Sequence, residues 1–115
     1  MAKIKHSAAT KRRKKRVLKQ AKGFWLDRSK QFQQARRALL HALTYAYRDR
    51  KARKRDFRGL WIARINAACR AEGLTYSKFM AGLKKAQVLL DRKMIAEIAV
   101  KDEKVFKKLL EIAKG

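Results

Sequence analysis

Residues 48–68, RDRKARKRDFRGLWIARINAA, decide how this chain is organised. The first eleven of them, 48–58, hold seven cations and two acids, yet they run without a proline into the apolar positions Leu60, Trp61 and Ile65. A helix that is polar on all sides has no face that a protein core could cover. The basic part therefore needs a partner outside the protein, and a polyanion such as nucleic acid can neutralise a basic surface on every side.

The net charge of +24 on 115 residues is unevenly distributed. Residues 1–58 hold 21 basic and 3 acidic side chains, net +18, whereas residues 59–115 hold 12 and 6, net +6. A net charge of this size indicates what kind of partner the chain binds and says little about its fold. A chain this short suggests one small domain at most. The sequence therefore predicts a basic, helical extension over 1–58 and a small helical globular domain over 59–115.

The single cysteine, Cys69, excludes an internal disulfide and a multi-cysteine zinc site. Its position four residues after Ile65 predicts a buried, inert thiol. No apolar run approaches the roughly 20 residues that span a bilayer, and the start of the sequence lacks the apolar centre of a secretion signal. The acid-free first 26 residues superficially fit an organelle transit peptide, but the six consecutive cations at 11–16 leave no apolar stripe.

The absence of proline and the presence of only five glycines predict an all-α fold with glycine punctuation. A first helix is expected to begin near Ser7 or Thr10, either of which could cap it, and to end at residue 22, before Gly23. A second helix is expected over 31–72. At about 1.5 Å per residue it would extend roughly 60 Å, longer than so small a domain is wide, so part of it must project.

Three short helices are predicted beyond residue 73, each with a capping side chain: Thr75 before 76–86, Asp91 before 92–100 and Asp102 before 103–113. Together with the end of the long helix they predict a four-helix core. The expected core positions are Leu60, Trp61, Ile65, Ala68, Phe79, Met80, Leu83, Met94, Ile95, Ile98, Val105, Phe106, Leu109 and Leu110.

The sequence contains no recognisable catalytic site. His6 and His41 are far apart, neither has metal-ligand spacing, and no glycine-rich phosphate loop or Ser/His/Asp set can be assembled. We therefore expect a protein that is not an enzyme and that carries no cofactor or metal. For His41 a surface or packing role is the simpler interpretation, and a phosphate contact is the alternative.

The basic clusters differ from an ordinary solvated helix face, which interleaves acids four residues from its cations. Neither 11–22 nor 28–48 contains an acid. Counter-ion release offsets the resulting self-repulsion only when a polyanion docks. The RNA-contacting residues predicted from the sequence are Lys11, Arg12, Arg13, Lys14, Lys15, Arg16, Lys19, Lys22, Trp25, Arg28, Arg36, Arg37, Arg48, Arg50, Lys51, Arg53, Lys54, Arg55, Arg58 and Arg64.

RNA is favoured over other polyanions by the residue types. Arginine outnumbers lysine over 28–64, which favours bidentate phosphate contact and stacking. Phe24, Trp25, Tyr45 and Tyr47 are interleaved with the cations and could stack on unpaired bases. For the two tyrosines, packing within the protein is an equally good interpretation.

Several stretches of the sequence resemble one known family. They are AKGF at 21–24, YAYRDR at 45–50, KRDFRGLWIARINAA at 54–68, GLTYSKFMAGLKKA at 73–86 and LDRK at 90–93. Over nearly its whole length the chain resembles the bacterial-type L-twenty family of large-subunit ribosomal proteins. It departs from the family pattern at Leu26 and Asp27 and in the first ten positions.

The resemblance implies a structural constituent of the large ribosomal subunit, with the extension threaded into 23S-type ribosomal RNA and the small domain near the particle surface. It also implies a role in early subunit assembly, ribosomal proteins L-thirteen and L-twenty-one as neighbours, and, in several members, repression of their own messenger RNA. The implied location is the cytoplasmic ribosome, with an organellar ribosome as the alternative. We expect 11–16, Lys19 and Lys22 to make the deepest phosphate contacts, 48–58 to clamp a second RNA segment, and Trp25 to stack or wedge.

Two other functions would share the high charge. A DNA-compacting architectural protein needs dimer symmetry or a wedge for the minor groove. This sequence has no sustained heptad pattern, so we expect no homo-oligomer. A membrane-active cationic helix needs a broad apolar face, which 48–58 lack. Both rank behind ribosomal RNA binding.

Overall fold

The computed structural model describes residues 5–115, and helices form nearly all of its regular structure. They are α1 (Ser7–Gln20), α2 (Phe32–Ala71), α3 (Tyr76–Lys85), α4 (Arg92–Lys101) and α5 (Glu103–Lys114), with a short 3-10 turn at Leu26–Arg28. No strand occurs in the described range, which confirms the all-α prediction. The chain divides into two compact units, Met1–Lys51 and Ala52–Gly115, and α2 contributes residues to both. The expectations for residues 1–4 lie outside the described residues.

Glycines follow the ends of α1 and α2, as the sequence predicted. Gly23 has φ 90° and Gly73 has φ 74°, left-handed values that glycine adopts without a Cβ clash. After α2, the N–H of Leu74 donates to the carbonyl of Cys69 at 2.9 Å and so satisfies one of the carbonyls left free by the helix end. The predicted long helix over 31–72 is observed one residue shorter at each end.

Asp91 is the predicted helix cap that the structure confirms. Its side chain accepts a hydrogen bond from the N–H of Met94 at 2.7 Å, which fixes the start of α4. Thr75 and Asp102 occupy the N-cap positions of α3 and α5, but their side chains accept no capping bond. Asp102 alone separates α4 from α5, and its backbone at φ −134° and ψ 80° serves both helix ends.

The predicted capping of α1 is wrong. Ser7 is itself the first helical residue and Thr10 lies within the first turn, while His6, at φ 60°, occupies the N-cap position without a side-chain bond. Residues 7–9 read Ser-Ala-Ala, and the high helix propensity of alanine is consistent with a helix that begins at Ser7 without a side-chain cap. The helix also ends at Gln20, two residues before the predicted end.

The second unit has a core to which all four of its helical segments contribute. The buried side chains are Ile65 and Cys69 of α2, Phe79 and Leu83 of α3, Ile95 and Ala96 of α4, and Phe106, Leu109 and Leu110 of α5. The rings of Phe79 and Phe106 are 5.5 Å apart and tilted by 44°, a geometry that aromatic pairs favour. Trp61, Ala68, Met80 and Ile98 pack partly buried against this core.

Three predicted core positions are exposed instead. Leu60, Met94 and Val105 expose 43%, 50% and 43% of their surface. Helical spacing gives an apolar stripe that is wider than the surface three short neighbouring helices can cover, so the stripe's edge residues stay in solvent. Ala96 was not among the predicted core positions and is buried there.

Helices α3 and α5 approach each other closely at Gly82. A Cβ built at this position would meet the backbone of Ala113, with 2.7 Å to its carbonyl carbon and 2.8 Å to its Cα. Such distances are far inside van der Waals contact, so only glycine allows the two helix backbones this separation. At Gly59 in α2, by contrast, an added Cβ would meet nothing within 4 Å.

Polar contacts at the rim of the core join neighbouring elements. The Arg92 guanidinium donates from Nε to the Tyr76 hydroxyl at 2.9 Å, which ties the start of α4 to the start of α3. Lys107 lies 2.9 Å from Glu103 on the same helix and 3.5 Å from Glu72, next to the end of α2. Exposed ion pairs of this kind add little stability individually.

Cys69 is fully buried in the core, as predicted. Burial raises the pKa of its thiol to about 11 because the thiolate would lose its hydration. At neutral pH the group is therefore a thiol, and thiols react far more slowly than thiolates.

None of the helices within residues 5–115 combines the length and apolar character needed to cross a bilayer.

Candidate nucleic-acid interface

In the first unit, α1 carries its cations on two different faces. At about 100° per residue, Arg12, Lys15, Arg16 and Lys19 fall within one narrow arc of the helix, and all four are exposed. No carboxylate in residues 5–115 forms an ion pair with any of them. This set of four, the outer face of α1, is therefore available to bind phosphate groups.

The opposite side of α1 makes contacts within the protein. Ala21, just after the helix, is fully buried. The Arg13 guanidinium and the Lys14 ammonium lie 5.8 Å and 5.9 Å from the centre of the Phe32 ring at the start of α2. Cations over an aromatic face are attracted by its quadrupole. Arg13 and Lys14 therefore also contribute to holding α1 beside α2, which the sequence did not predict.

Further along α2, aromatic and cationic side chains form a ladder. The rings of His41 and Tyr45 are stacked with centres 6.2 Å apart and planes 21° apart. The Arg48 guanidinium lies 4.5 Å from the centre of the Tyr45 ring, and the Lys51 ammonium is 4.5 Å from that of Tyr47. Tyr45 and Tyr47 are 48% and 58% exposed, so they are not packed in a core and their rings remain accessible.

A cleft of about 570 Å³ lies between the turn after α1 and one face of α2. Phe24, Trp25 and Arg28 line it on the turn side. The α2 side presents Gln34, Arg37, Ala38, His41 and Ala42, which follow one another at helical spacing. Clefts of this size are typical of ligand sites.

In the second unit, the cations predicted to clamp RNA lie on α2. Arg53, Lys54, Arg55 and Arg58 are all exposed. Arg64 lines a shallow groove of about 230 Å³ with Trp61, and with Lys93, Glu97 and Lys101 of α4. Lys101 hydrogen-bonds to Glu97 and holds the pKa of that carboxyl below its ordinary value, so this acid stays ionised.

The structure brings together only part of the predicted contact set. All of the residues predicted to contact RNA are exposed. Arg28 and Arg37 share the cleft with Trp25, and Arg36 lies beside Arg37 in a separate groove with Phe32 and Leu40.

Within residues 5–115 no group of three or more His, Cys, Asp and Glu side chains is arranged to hold a metal ion.

Comparison with known proteins identifies the family. The family described as Ribosomal protein L20 matches residues 3–109. The chain belongs to the ribosomal protein L20 family. Two similar relatives, both called large ribosomal subunit protein bL20, come from Thermoanaerobacter sp. (strain X514), 54% identical over 99% of this chain and 96% of the relative, and from Acidithiobacillus ferrooxidans (strain ATCC 53993 / BNL-5-31), 51% identical over 100% and 97%.

Family membership confirms the resemblance that the sequence carried. In this L20-family chain the stretch 54–68 lies on α2, where its first half is exposed and Ile65 enters the core. The stretch 73–86 supplies the left-handed Gly73, the buried Phe79 and Leu83, and the close-contact Gly82. The resemblance therefore rests on residues with specific structural roles as well as on basic composition.

Several candidate contact residues of this L20-family chain were absent from the sequence-based set. Gln34 and His41 share the cleft with Trp25, and Lys93 and Lys101 share the groove with Arg64. The helical spacing of 34, 37, 38 and 41 places Gln34 and His41 on the face of Arg37, a signal that could have found Gln34 and that favours the phosphate contact already considered as the alternative for His41. The two lysines come from another helix, so only the fold reveals their proximity to Arg64.

Proposed function

We propose that this chain is a structural, non-catalytic component of the large ribosomal subunit that binds 23S-type ribosomal RNA directly and supports early subunit assembly. Its family and the names of its relatives support this proposal. The observation that carries it is the distribution of charge over residues 5–51, where 16 basic side chains face 2 acidic ones. The described part of this segment contains one ion pair, between Arg48 and Asp49.

The proposed mechanism is scaffolding by charge neutralisation. The outer face of α1 binds phosphates of one RNA segment, and the cations over 48–58 clamp a second, so that strands which repel each other are held close. The extension, residues 1–58, gains most of its stabilisation from the RNA because it buries little apolar surface of its own. The small domain over 59–115 has its own core and folds without RNA.

The proposed partners follow from the family. They are large-subunit ribosomal RNA, the neighbouring ribosomal proteins L-thirteen and L-twenty-one, and the chain's own messenger RNA. The proposed location is the cytoplasmic ribosome. A DNA-compacting protein with the same charge would have no reason to select ribosomal RNA over duplex DNA, so selectivity separates the two functions.

Cosedimentation tests the proposal. The full chain, tagged at its C-terminus and expressed in bacteria, is expected to migrate with the large subunit in sucrose gradients and to remain there after a salt wash that strips non-specific polyanion binders. It should also be present in early large-subunit precursors. A matched variant with Lys11, Arg12, Arg13, Lys14, Lys15 and Arg16 changed to Gln should be lost from the subunit peak. Migration of the unchanged chain with chromosomal DNA, or as free protein, would contradict the proposal.

A further inference from the structure

The cleft between the 24–28 turn and α2 has the features of a site for a flat, polar ring. Its floor on α2 is formed by Ala38 and Ala42, whose short side chains leave space above the helix. Gln34 and His41 stand at the same face, and their amide and imidazole groups can both donate and accept hydrogen bonds. A nucleobase edge offers donors and acceptors of the same kind.

Trp25 lines one wall of this cleft and lies outside the buried core. The side chain is 76% exposed, although indole is among the largest apolar surfaces a residue can present. The turn that carries it is well defined: Leu26 adopts φ 51°, and the Ser29 hydroxyl donates to the Leu26 carbonyl at 2.9 Å. A left-handed leucine is uncommon, so the backbone of the turn that places Trp25 beside the cleft is strained.

His41, on the α2 side of the cleft, stacks on a neighbouring aromatic ring of the same helix. Its ring stacks on Tyr45, and the Arg48 guanidinium covers Tyr45 in turn at 4.5 Å. His41 also lines the cleft, so its imidazole can meet a ligand there while it stacks on Tyr45. A stacking surface on one side and a supported hydrogen-bonding group on the other are the elements by which proteins hold single unpaired bases.

The arginines around the cleft indicate that the ring bound there carries phosphate groups. Arg28 and Arg37 lie on opposite sides of it and neither is paired with a carboxylate of residues 5–115. Guanidinium groups bind phosphate oxygens in bidentate fashion. A base in a duplex is stacked on its neighbours and cannot enter such a cleft, whereas a splayed nucleotide of a loop or bulge can.

We propose that this cleft binds one unpaired nucleotide of the RNA, with its base stacked on Trp25, its edge at Gln34 and His41, and its phosphates at Arg28 and Arg37. The inference rests on the proposed function and deepens it. Phosphate binding by the extension is general, whereas the cleft would recognise one position in the RNA. Only a nucleotide that is already unpaired fits the cleft.

The test compares the full chain with Trp25→Ala, Trp25→Phe and the control Leu43→Ala. Leu43 is an apolar residue of α2, 59% exposed, that lies outside the cleft. Affinity for large-subunit ribosomal RNA is measured over a salt series. Trp25→Ala should bind roughly 5- to 150-fold more weakly, the loss typical of one stacked base, with an unchanged salt slope because no phosphate contact is removed. Trp25→Phe should retain most of the affinity, and Leu43→Ala should bind like the original chain.

Chemical probing then locates the nucleotide. One unpaired base should be protected by the full chain and become reactive with Trp25→Ala. RNA made abasic at this position should bind the full chain at least as weakly as intact RNA binds Trp25→Ala, because the contacts at Gln34 and His41 are lost as well, and Trp25→Ala should bind the abasic RNA no more weakly than the full chain does. Additive losses, or a Trp25→Ala variant that binds as tightly as the original, would overturn the inference. Failure of the unchanged chain to select ribosomal RNA would instead overturn the proposed function on which it rests.

Discussion

The variant Gly82→Ala should open the core of the second unit far more often than the unchanged chain. Its Cβ would meet the backbone of Ala113, which cannot move aside like a flexible side chain, so α3 and α5 must separate. Overpacking of this kind costs about 1–3 kcal/mol. The helices that separate carry Phe79, Leu83, Phe106, Leu109 and Leu110, more than half of the buried core.

Cys69 provides the readout for this variant. Because the thiol is buried and its pKa is raised to about 11, a thiol reagent reaches it only when the core opens. We expect labelling of Gly82→Ala to be roughly 5- to 150-fold faster, which corresponds to the same 1–3 kcal/mol.

Gly59→Ala is the matched control, since it is also a glycine-to-alanine change in a helix but its new Cβ meets nothing within 4 Å. It should label at the original rate or more slowly, because alanine favours helix by about 1 kcal/mol over glycine. Equal labelling of both variants would mean that α3 and α5 do not approach each other at Gly82.

Changing Arg12, Lys15 and Lys19 to Gln should weaken RNA binding by roughly 10- to 1000-fold. These residues share the outer face of α1 and make no ion pair with any carboxylate of residues 5–115, so their removal leaves the described contacts of the protein unchanged. Each lost phosphate contact, counted only as an ordinary hydrogen bond, is worth about 0.5–1.5 kcal/mol net. The slope of log affinity against log salt should also fall by about 2–3, since each phosphate contact contributes roughly 0.7–0.9.

The control for this variant removes the same charge elsewhere. Lys104, Lys108 and Lys114 of α5 are exposed and belong to neither the outer face nor the predicted contact set. Changing these three to Gln lowers the net charge equally, so a general effect of charge would reduce affinity and salt slope as much. We expect a much smaller change. Equal losses for the two triple variants would show that the outer face of α1 makes no specific contact.

The helices of this chain were predictable because their ends depend on local signals. Gly23 and Gly73 stop α1 and α2 through a backbone conformation that needs no tertiary context, and Asp91 caps α4 with its own side chain. Thr75 and Asp102 share the capping residue types but make no such bond, because the bond also depends on how the preceding chain enters the helix. Residue type alone does not determine this entry.

The candidate site was predictable where cations mark it and at Trp25, which lies near them in the sequence. The exposed cations of α1 and α2 follow from composition, whereas the cleft combines a turn at 24–28 with a helix face at 34–42. Gln34 and His41 carry no net charge signal, and the free exposure of Trp25 depends on the turn at Leu26. In the same way, Leu60, Met94 and Val105 matched the apolar spacing but lie beyond the reach of neighbouring helices.

Selectivity for ribosomal RNA is the most direct test of the account. Binding of the full chain to large-subunit ribosomal RNA fragments is measured over a salt series, in competition with length-matched duplex DNA and with scrambled RNA. We predict that one ribosomal fragment stays tightly bound at physiological salt while both competitors are released. Equal and steeply salt-dependent binding to all three nucleic acids would contradict the account, because it would reduce the chain to a non-specific polyanion binder.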